Sequence, residues 1–277
     1  MITLTRPWRQ QIELILSLAK RDLKARYKDS VFGFFWSLFR PAFLTLILWV
    51  VFSKILRLPP PSQSVPYWLH MLVSVLVWNF FVGSIVEATH SVVANANLIK
   101  KVPLDAEVFP ISAILSNGVH FVLAMAVALV IAVFVTGHIS WQIVMLPVAV
   151  GVLALFVLAV SLYTSALQVY FRDVGSLLEL LTMAWFYVTP VLYPVWMVRE
   201  RLQHGGLDRL FVLYMLNPVA APVVAGRHAL LYSGATAELS TSEILLYLFL
   251  AGLLSLLLLI PGAYLFRRMS RHFADEL

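Results

Sequence analysis

The sequence predicts an all-α integral membrane protein, and three observations carry that prediction. Apolar residues make up 61% of the chain and charged residues only 12%, so a soluble domain of this size would lack the polar surface to cover itself. Mean hydropathy is +0.89. Apolar stretches recur at about 20 residues, the length a helix needs to cross roughly 30 Å of hydrocarbon. The chain has no cysteine, which excludes a disulfide framework and any Cys-based metal site. The net charge of +6 is modest, and in such a protein its placement tells more than its size.

The first element is amphipathic. Residues 6–28 lack the unbroken apolar core and small-residue cleavage site of a secretory signal. They alternate instead at helical period. Trp8, Ile12, Ile15, Leu16, Ala19 and Leu23 fall on one stripe, with Arg9, Glu13, Ser17, Lys20, Arg21, Lys24 and Lys28 opposite. The expectation is a helix within residues 1–30 that lies in the membrane interface, its basic face toward lipid headgroups. A soluble helix packed on a partner is the alternative.

Six transmembrane spans follow, at 34–55, 67–86, 111–135, 143–167, 177–193 and 244–266. Thirteen Lys and Arg fall in the segments 1–33, 87–110, 168–176 and 267–277. Six fall on the other side: Lys54, Arg57, Arg199, Arg201, Arg209 and Arg227. The positive-inside rule then places both termini in the cytoplasm of a multi-pass inner-membrane protein. Trp68 and Trp141 come out at the outer interface, and Tyr170 and Phe171 at the inner one, as in an aromatic belt. Arg40 lies inside the first span.

Two connections stand out. "NANLIKKVPLDAEVFP" (95–110) is a short polar piece of helical pattern with Lys100 and Lys101 side by side, interrupted by Pro103 and Pro110. Taken alone it is either a surface helix or a tight turn with two positive-inside lysines. The stretch 194–240 holds "LFVLYML" and "PVAAPVVAGRHALLY", apolar pieces too short to cross and broken by Pro218, Pro222 and Gly226. Short helices that dip in and return fit this pattern, and their irregular backbone needs shielding by protein or a wet cavity. The expectation is a re-entrant gate region at 197–232 before the last span. A loop domain lying on the surface is the alternative.

Enzyme signatures are missing. The chain contains no GxxxxGK[ST], HExxH, GxSxG or GxGxxG. Its seven histidines are scattered without ligand spacing, and its carboxylates fall mostly at span ends. A secondary transporter would show charges inside its spans, and only Arg40 and Glu179 qualify.

Four stretches carry a family likeness: "RDLKARYKDSVFGFFWSLFRP" (21–41), "NANLIKKVPL" (95–104), "YFRDV" (170–174) and "LNPVAAPVVAGRHALLY" (216–232). Together, and in this order, they resemble the permease subunit of ABC-2 type polysaccharide exporters, above all the O-antigen and teichoic-acid branches. Arg40 before Pro41 departs from the pattern, where Asn is more usual. The resemblance implies one 1–277 permease domain that works as a homodimer with two separate ATP-binding cassette ATPase subunits. ATP and magnesium would be bound by those ATPases and no cofactor by this chain. The cargo would be a polysaccharide on undecaprenyl pyrophosphate, moved outward. Membrane lipids are the other expected contacts, and nucleic acid is not expected. The resemblance also implies that residues 95–104 form a coupling helix seated on the ATPase, through Asn97, Leu98, Ile99, Lys100 and Lys101.

Physical chemistry suggests how such a chain could handle its cargo. A long hydrophilic glycan needs a continuous conduit, which two copies around a two-fold axis can form. Aromatic walls let sugar faces slide by weak repeated stacking, and Phe35, Trp36, Phe39, Trp185, Phe186 and Tyr187 are the candidates. Ordinary core or lipid-facing packing is the alternative for each. The pyrophosphate needs cations at the cytoplasmic mouth, and Arg offers a bidentate fork. Arg21, Arg26 and Arg40 are the candidates; for Arg40 the alternative is snorkelling to the inner headgroups. An ABC-2 permease for a drug or small lipid stays open, as does a membrane-embedded glycosyltransferase or polymerase, which would need a carboxylate cluster at one interface.

Overall fold

The computed structural model describes residues 8–27, 35–60, 62, 65–102, 104–137, 139–232 and 238–277. The expectations that fall on residues 1–7 and 28–34, on Lys28 and Pro103, and on the side chains of Trp8 and Phe35 lie outside the described residues.

Every regular element among the described residues is a helix. An N-terminal helix α1 (Trp8–Tyr27) leads to α2 (Phe35–Trp49), which continues as a π-helical turn, Val50–Ile55. The long helix α3 (Tyr67–Ala94) is followed by the short α4 (Ala96–Lys101) and by α5 (Val108–Thr136). A 3₁₀ turn at Trp141–Val144 opens into α6 (Met145–Tyr170), and α7 (Val174–Val188) follows. Three short helices, α8 (Val195–His204), α9 (Asp208–Met215) and α10 (Ala220–Leu231), precede α11 (Thr241–Ser270) and the terminal turn α12 (Phe273–Glu276).

Among the described residues five helical stretches are long and apolar enough to cross a membrane: 38–55, α3, α5, the stretch 141–170 and α11. The fifth expected span is different. α7 has 15 residues, so it rises only about 22 Å before the chain breaks at Thr189. In the stretch expected to be re-entrant, α9 and α10 are bent by 85° across a short break, the shape of either a broken span or a re-entrant loop. Several spans run past their sequence-predicted ends. α3 ends at Ala94 instead of Val86, because apolar periodicity stops where the helix leaves hydrocarbon, not where its hydrogen bonds stop.

Burial sets the architecture. α3 is the central helix, with 72% of its hydrophobic window buried, against 11% for the first span. It packs on α5, α6, α10 and α2. α6 and α11 pair along their length. Ile244, Leu248, Ala251, Ser255, Gly262 and Phe266 form the buried stripe of α11 at helical spacing. Gly262 is required there: a Cβ would sit 2.8 Å from a Tyr163 ring carbon and 3.2 Å from the Ala159 carbonyl oxygen. Tyr163 also donates to the Leu258 carbonyl at 2.9 Å, just before Pro261 interrupts the helical ladder.

Both ends of the described chain meet at one end of the bundle. Leu18 of α1 and Phe273 of α12 share a core with Val92, Phe109, Ala166 and Phe266. The α1 stripe is therefore shifted from the sequence reading. Leu18 and Ala19 are buried against protein, while Ile12 and Leu16 stay exposed. The helix has two apolar faces, one for the bundle and one left open beside it.

Candidate functional site

A cleft of about 220 Å³, with polar and charged side chains set in a mostly apolar lining, opens between α1, α2, α3 and α5. Two of the three sequence-predicted arginines meet in it, Arg26 from the end of α1 and Arg40 from α2, together with Trp36. Arg26 is ion-paired with Glu87 of α3, and its guanidinium also reaches Asn117 of α5 at 3.5 Å. Asn117 in turn donates to Glu87 at 2.7 Å. The polar wall comes from helical spacing: Asn79, Gly83 and Glu87 stand at i, i+4 and i+8 on α3. A Cβ on Gly83 would lie 3.2 Å from the Asn117 side-chain oxygen, so the glycine keeps room for that bridge. His120 completes the wall from α5.

The sequence reading missed Glu87, Asn117, His120 and Asn79. Glu87 sat one residue beyond the expected end of its span. The usable signal was Asn79, Gly83 and Glu87 on one face of an otherwise apolar helix. Arg21 lies elsewhere. It is held by Asp22 at 2.9 and 3.0 Å and by the Asn95 side-chain oxygen at 3.0 Å.

The aromatic candidates divide. Trp36 and Phe39 are half-exposed and meet edge to face at 5.6 Å, and Phe39 stacks on Phe43 at 5.9 Å. Trp185 packs edge to face on Phe81 at 5.4 Å and donates its indole N–H to Asn217 at 3.1 Å. Phe186 packs on Trp78 at 5.4 Å. Tyr187 is 64% exposed. Trp185 and Phe186 thus serve the core of the bundle, while Trp36, Phe39 and Tyr187 remain exposed.

At the opposite end, α8, α9 and α10 form a cap over the starts of α6 and α11. Phe211, Met215, Ala220 and Val224 pack with Met145, Ala149, Ile244 and Leu248. Every residue of α10 is buried. The sequence reading counted Arg227 among the outer charges, and the structure buries it inside the protein. Arg227 is fully buried and ion-paired with Glu238: Nη2 donates to Oε2 at 3.0 Å, and Nε lies 3.0 Å from Oε1 without the alignment of a hydrogen bond. It also donates to Ser74 of α3 at 3.1 Å and to the Pro190 carbonyl. Pro190 lies in the break after α7, where helical hydrogen bonding has stopped. Arg227 supplies the donor that this broken backbone needs inside the protein. Tyr67 does the same for the Leu192 carbonyl at 2.9 Å, and Asn217 ties Thr189 at 3.0 Å. Burial pushes the Glu238 carboxyl above its usual value, and the Arg227 charge and the Val195 N–H pull it back.

The short helix α4 sits at the same end as α1 and α12. Asn97, Leu98, Lys100 and Lys101 are exposed, while Ile99 turns inward onto the core that holds Leu18 and Phe273. Four of the five expected contact residues therefore face outward, and Ile99 anchors the helix.

Five helical stretches long and apolar enough to cross a membrane, among the described residues, define the class: a polytopic α-helical membrane protein. The particular family follows from comparison. The ABC-2 type transporter model matches residues 13–231, and the chain belongs to that family. Among curated proteins it is similar to the O-antigen export system permease protein RfbA of Myxococcus xanthus, 29% identical over 278 residues, which cover 100% of both chains. An O-antigen export system permease protein RfbA of Klebsiella pneumoniae is 28% identical over 270 residues, 96% of this chain and 95% of the relative.

Proposed function

We propose that this chain is the permease subunit of an ATP-driven exporter that moves an undecaprenyl-pyrophosphate-linked polysaccharide of O-antigen type outward across the cell inner membrane. The observation that carries this reading is similarity over the whole chain to O-antigen export permeases. Two copies form the conduit around a two-fold axis, and two ATP-binding cassette subunits bind ATP and magnesium. Both termini face the cytoplasm, as the Lys and Arg distribution asks. α1 lies along that interface, with the exposed Ile12 and Leu16 in lipid. Residues 95–104, centred on α4, couple the permease to its ATPase. The segment 197–232, which includes most of α8 and all of α9 and α10, gates the outer end.

In this reading the pyrophosphate docks in the cleft between Arg26 and Arg40. Both are cations with bidentate geometry, and the cleft belongs to the end that carries α1 and α4. Glu87 holds Arg26 in place when the cleft is empty and yields it to the stronger anion. The glycan slides along the exposed faces of Trp36, Phe39 and Tyr187. The test is export of lipid-linked glycan in cells whose only permease is this chain, with copurification of the ATPase. Loss of surface glycan on deletion and its return on re-expression support the reading; full export without the chain overturns it.

A further inference from the structure

The short helix α4 does not rest mainly on a membrane-crossing helix. Its six residues pack chiefly on α12, the four-residue turn Phe273–Glu276 at the other end of the chain. Ile99 is the side chain of α4 that turns inward, and it lies on the core that contains Phe273. α12 in turn packs on α6, and it joins α11 through Arg271 and His272. The pair of α6 and α11 is thus reached from α4 by way of one short turn.

Phe273 is built into that junction. It is fully buried. Its ring meets Phe266 of α11 edge to face at 5.5 Å and tilts against Tyr170, the last residue of α6, at 6.2 Å. Tyr170 donates its hydroxyl to the Met269 carbonyl at 3.1 Å, which fastens the end of α6 to the last turn of α11. The chain after α4 has its own anchors. Arg267 of α11 is ion-paired with Glu107 at 2.6 Å, and Gln11 of α1 donates to Asp105 at 2.7 Å. Neither anchor bears on α4 itself, which is left to α12. A buried aromatic ring packed against two others deforms little, because close-packed interiors transmit strain instead of absorbing it. α6 and α11 pair along their length, and at their other ends Met145, Ala149, Ile244 and Leu248 pack with the cap. A push on α4 therefore has a packed route to the cap: Ile99, the Phe273 core, then α6 and α11.

We propose that Phe273 is a positioning residue for ATP-driven export. It seats α4 on the paired α6 and α11, so that movement of α4 by the ATPase passes to the two spans that bear the cap. This assignment rests on the reading of α4 as the coupling helix. It makes α12 a working part of the transporter and not only a stop to the last span.

The test uses inverted membrane vesicles from cells that make the full-length chain together with its ATPase partner. ATP hydrolysis is measured beside transport, which is read as tritiated lipid-linked glycan that becomes protected from periodate added outside. Phe273→Ala is expected to keep the ATPase bound and hydrolysing, while the glycan moved per ATP falls by about 2- to 30-fold, the range for residues that carry coupling between sites. Phe273→Leu, which keeps most of the buried volume, is expected to regain most of that ratio. A side chain that only fills the core behaves otherwise: hydrolysis and transport fall together with the amount of folded complex, and their ratio does not move. An unchanged ratio in Phe273→Ala overturns the proposal. Should Phe273→Ala fail to reach the membrane, Ile99→Ala, on the α4 side of the same junction, is read for the same ratio with the same outcomes. Leu98→Asp keeps the two readings apart. If the ATPase stays bound to Leu98→Asp, the coupling reading of α4 falls and the relay falls with it. If Leu98→Asp sheds the ATPase while the Phe273→Ala ratio is unchanged, only the relay falls.

Discussion

Arg40 is exposed on α2, next to Pro41, at the lip of a cleft it shares with Arg26. A guanidinium at that depth is costly in lipid and useful in a wet portal that meets a diphosphate. Arg40→Ala is expected to lower export at steady permease level by about 10- to 150-fold, the worth of one charge-assisted contact of roughly 1.5–3 kcal/mol. Arg40→Lys is expected to lower it less, because an ammonium keeps the charge and loses the fork. Equal export by wild type and Arg40→Ala, measured as surface glycan per permease, would remove Arg40 from the mechanism. Arg227 presents the opposite case, a charge with no access to cargo. Removing one partner of a buried pair costs about 3–5 kcal/mol, so Arg227→Leu is expected to unfold the cap at lower temperature. The double variant with Glu238→Leu should recover only part of that loss, because the Pro190 carbonyl and Ser74 stay without their donor. Full recovery in a thermal melt in detergent would show that Arg227 serves Glu238 alone.

Two elements show how packing assigns roles that periodicity leaves open. On α4, Leu98 is 37% exposed and Ile99 packs inward, so the two neighbours do different work. Leu98→Asp is expected to abolish ATPase docking while the protein still inserts and keeps its thermal stability. Ile99→Asp is expected to fail earlier, by loosening the core shared with α1 and α12. Wild-type copurification of the ATPase with Leu98→Asp would reject a coupling role for α4. On α11, Gly262 lets that helix approach α6 closely enough for Tyr163 to reach the Leu258 carbonyl. Gly262→Val adds atoms where a Cβ already collides, an overpacking expected to cost about 1–3 kcal/mol. An unchanged melting temperature would mean that the helices part without penalty.

At the scale of the molecule, the burial of the spans is uneven. α2 leaves Phe39, Phe43, Leu46 and Ile47 exposed along its length, while α3 is closed in by neighbours on most sides. α9 leaves Val212 and Leu213 exposed beside the buried α10. If α9 of two copies meet at a two-fold axis, a single Leu213→Cys can pair with itself across that axis. The chain has no other cysteine, so oxidation reports this contact alone. The expected result is a disulfide-linked dimer on a non-reducing gel and a block of export that a reductant reverses. Undiminished export with the link formed would reject the gate.

The sequence by itself determined the membrane class, five of the six expected spans, the break before the last span, the polar piece at 95–104 and the stretches that tie the chain to its family. These are local or compositional properties. A run of apolar residues is written in consecutive letters, and a proline or glycine punctuates it wherever the rest of the chain goes. Arg26, Arg40 and Trp36 were also legible, as cations and an aromatic near one membrane face. Only the tertiary structure decided that Glu87 and Asn117 join Arg26 and that Arg21 does not. Only it turned Arg227 from a loop charge into a buried clamp, and shortened the fifth span to 15 residues. The reason is the same in each case. Desolvation and ion pairing depend on which helices lie side by side, and residues such as Arg26 and Glu87, 61 positions apart, are brought together by packing that no local period encodes.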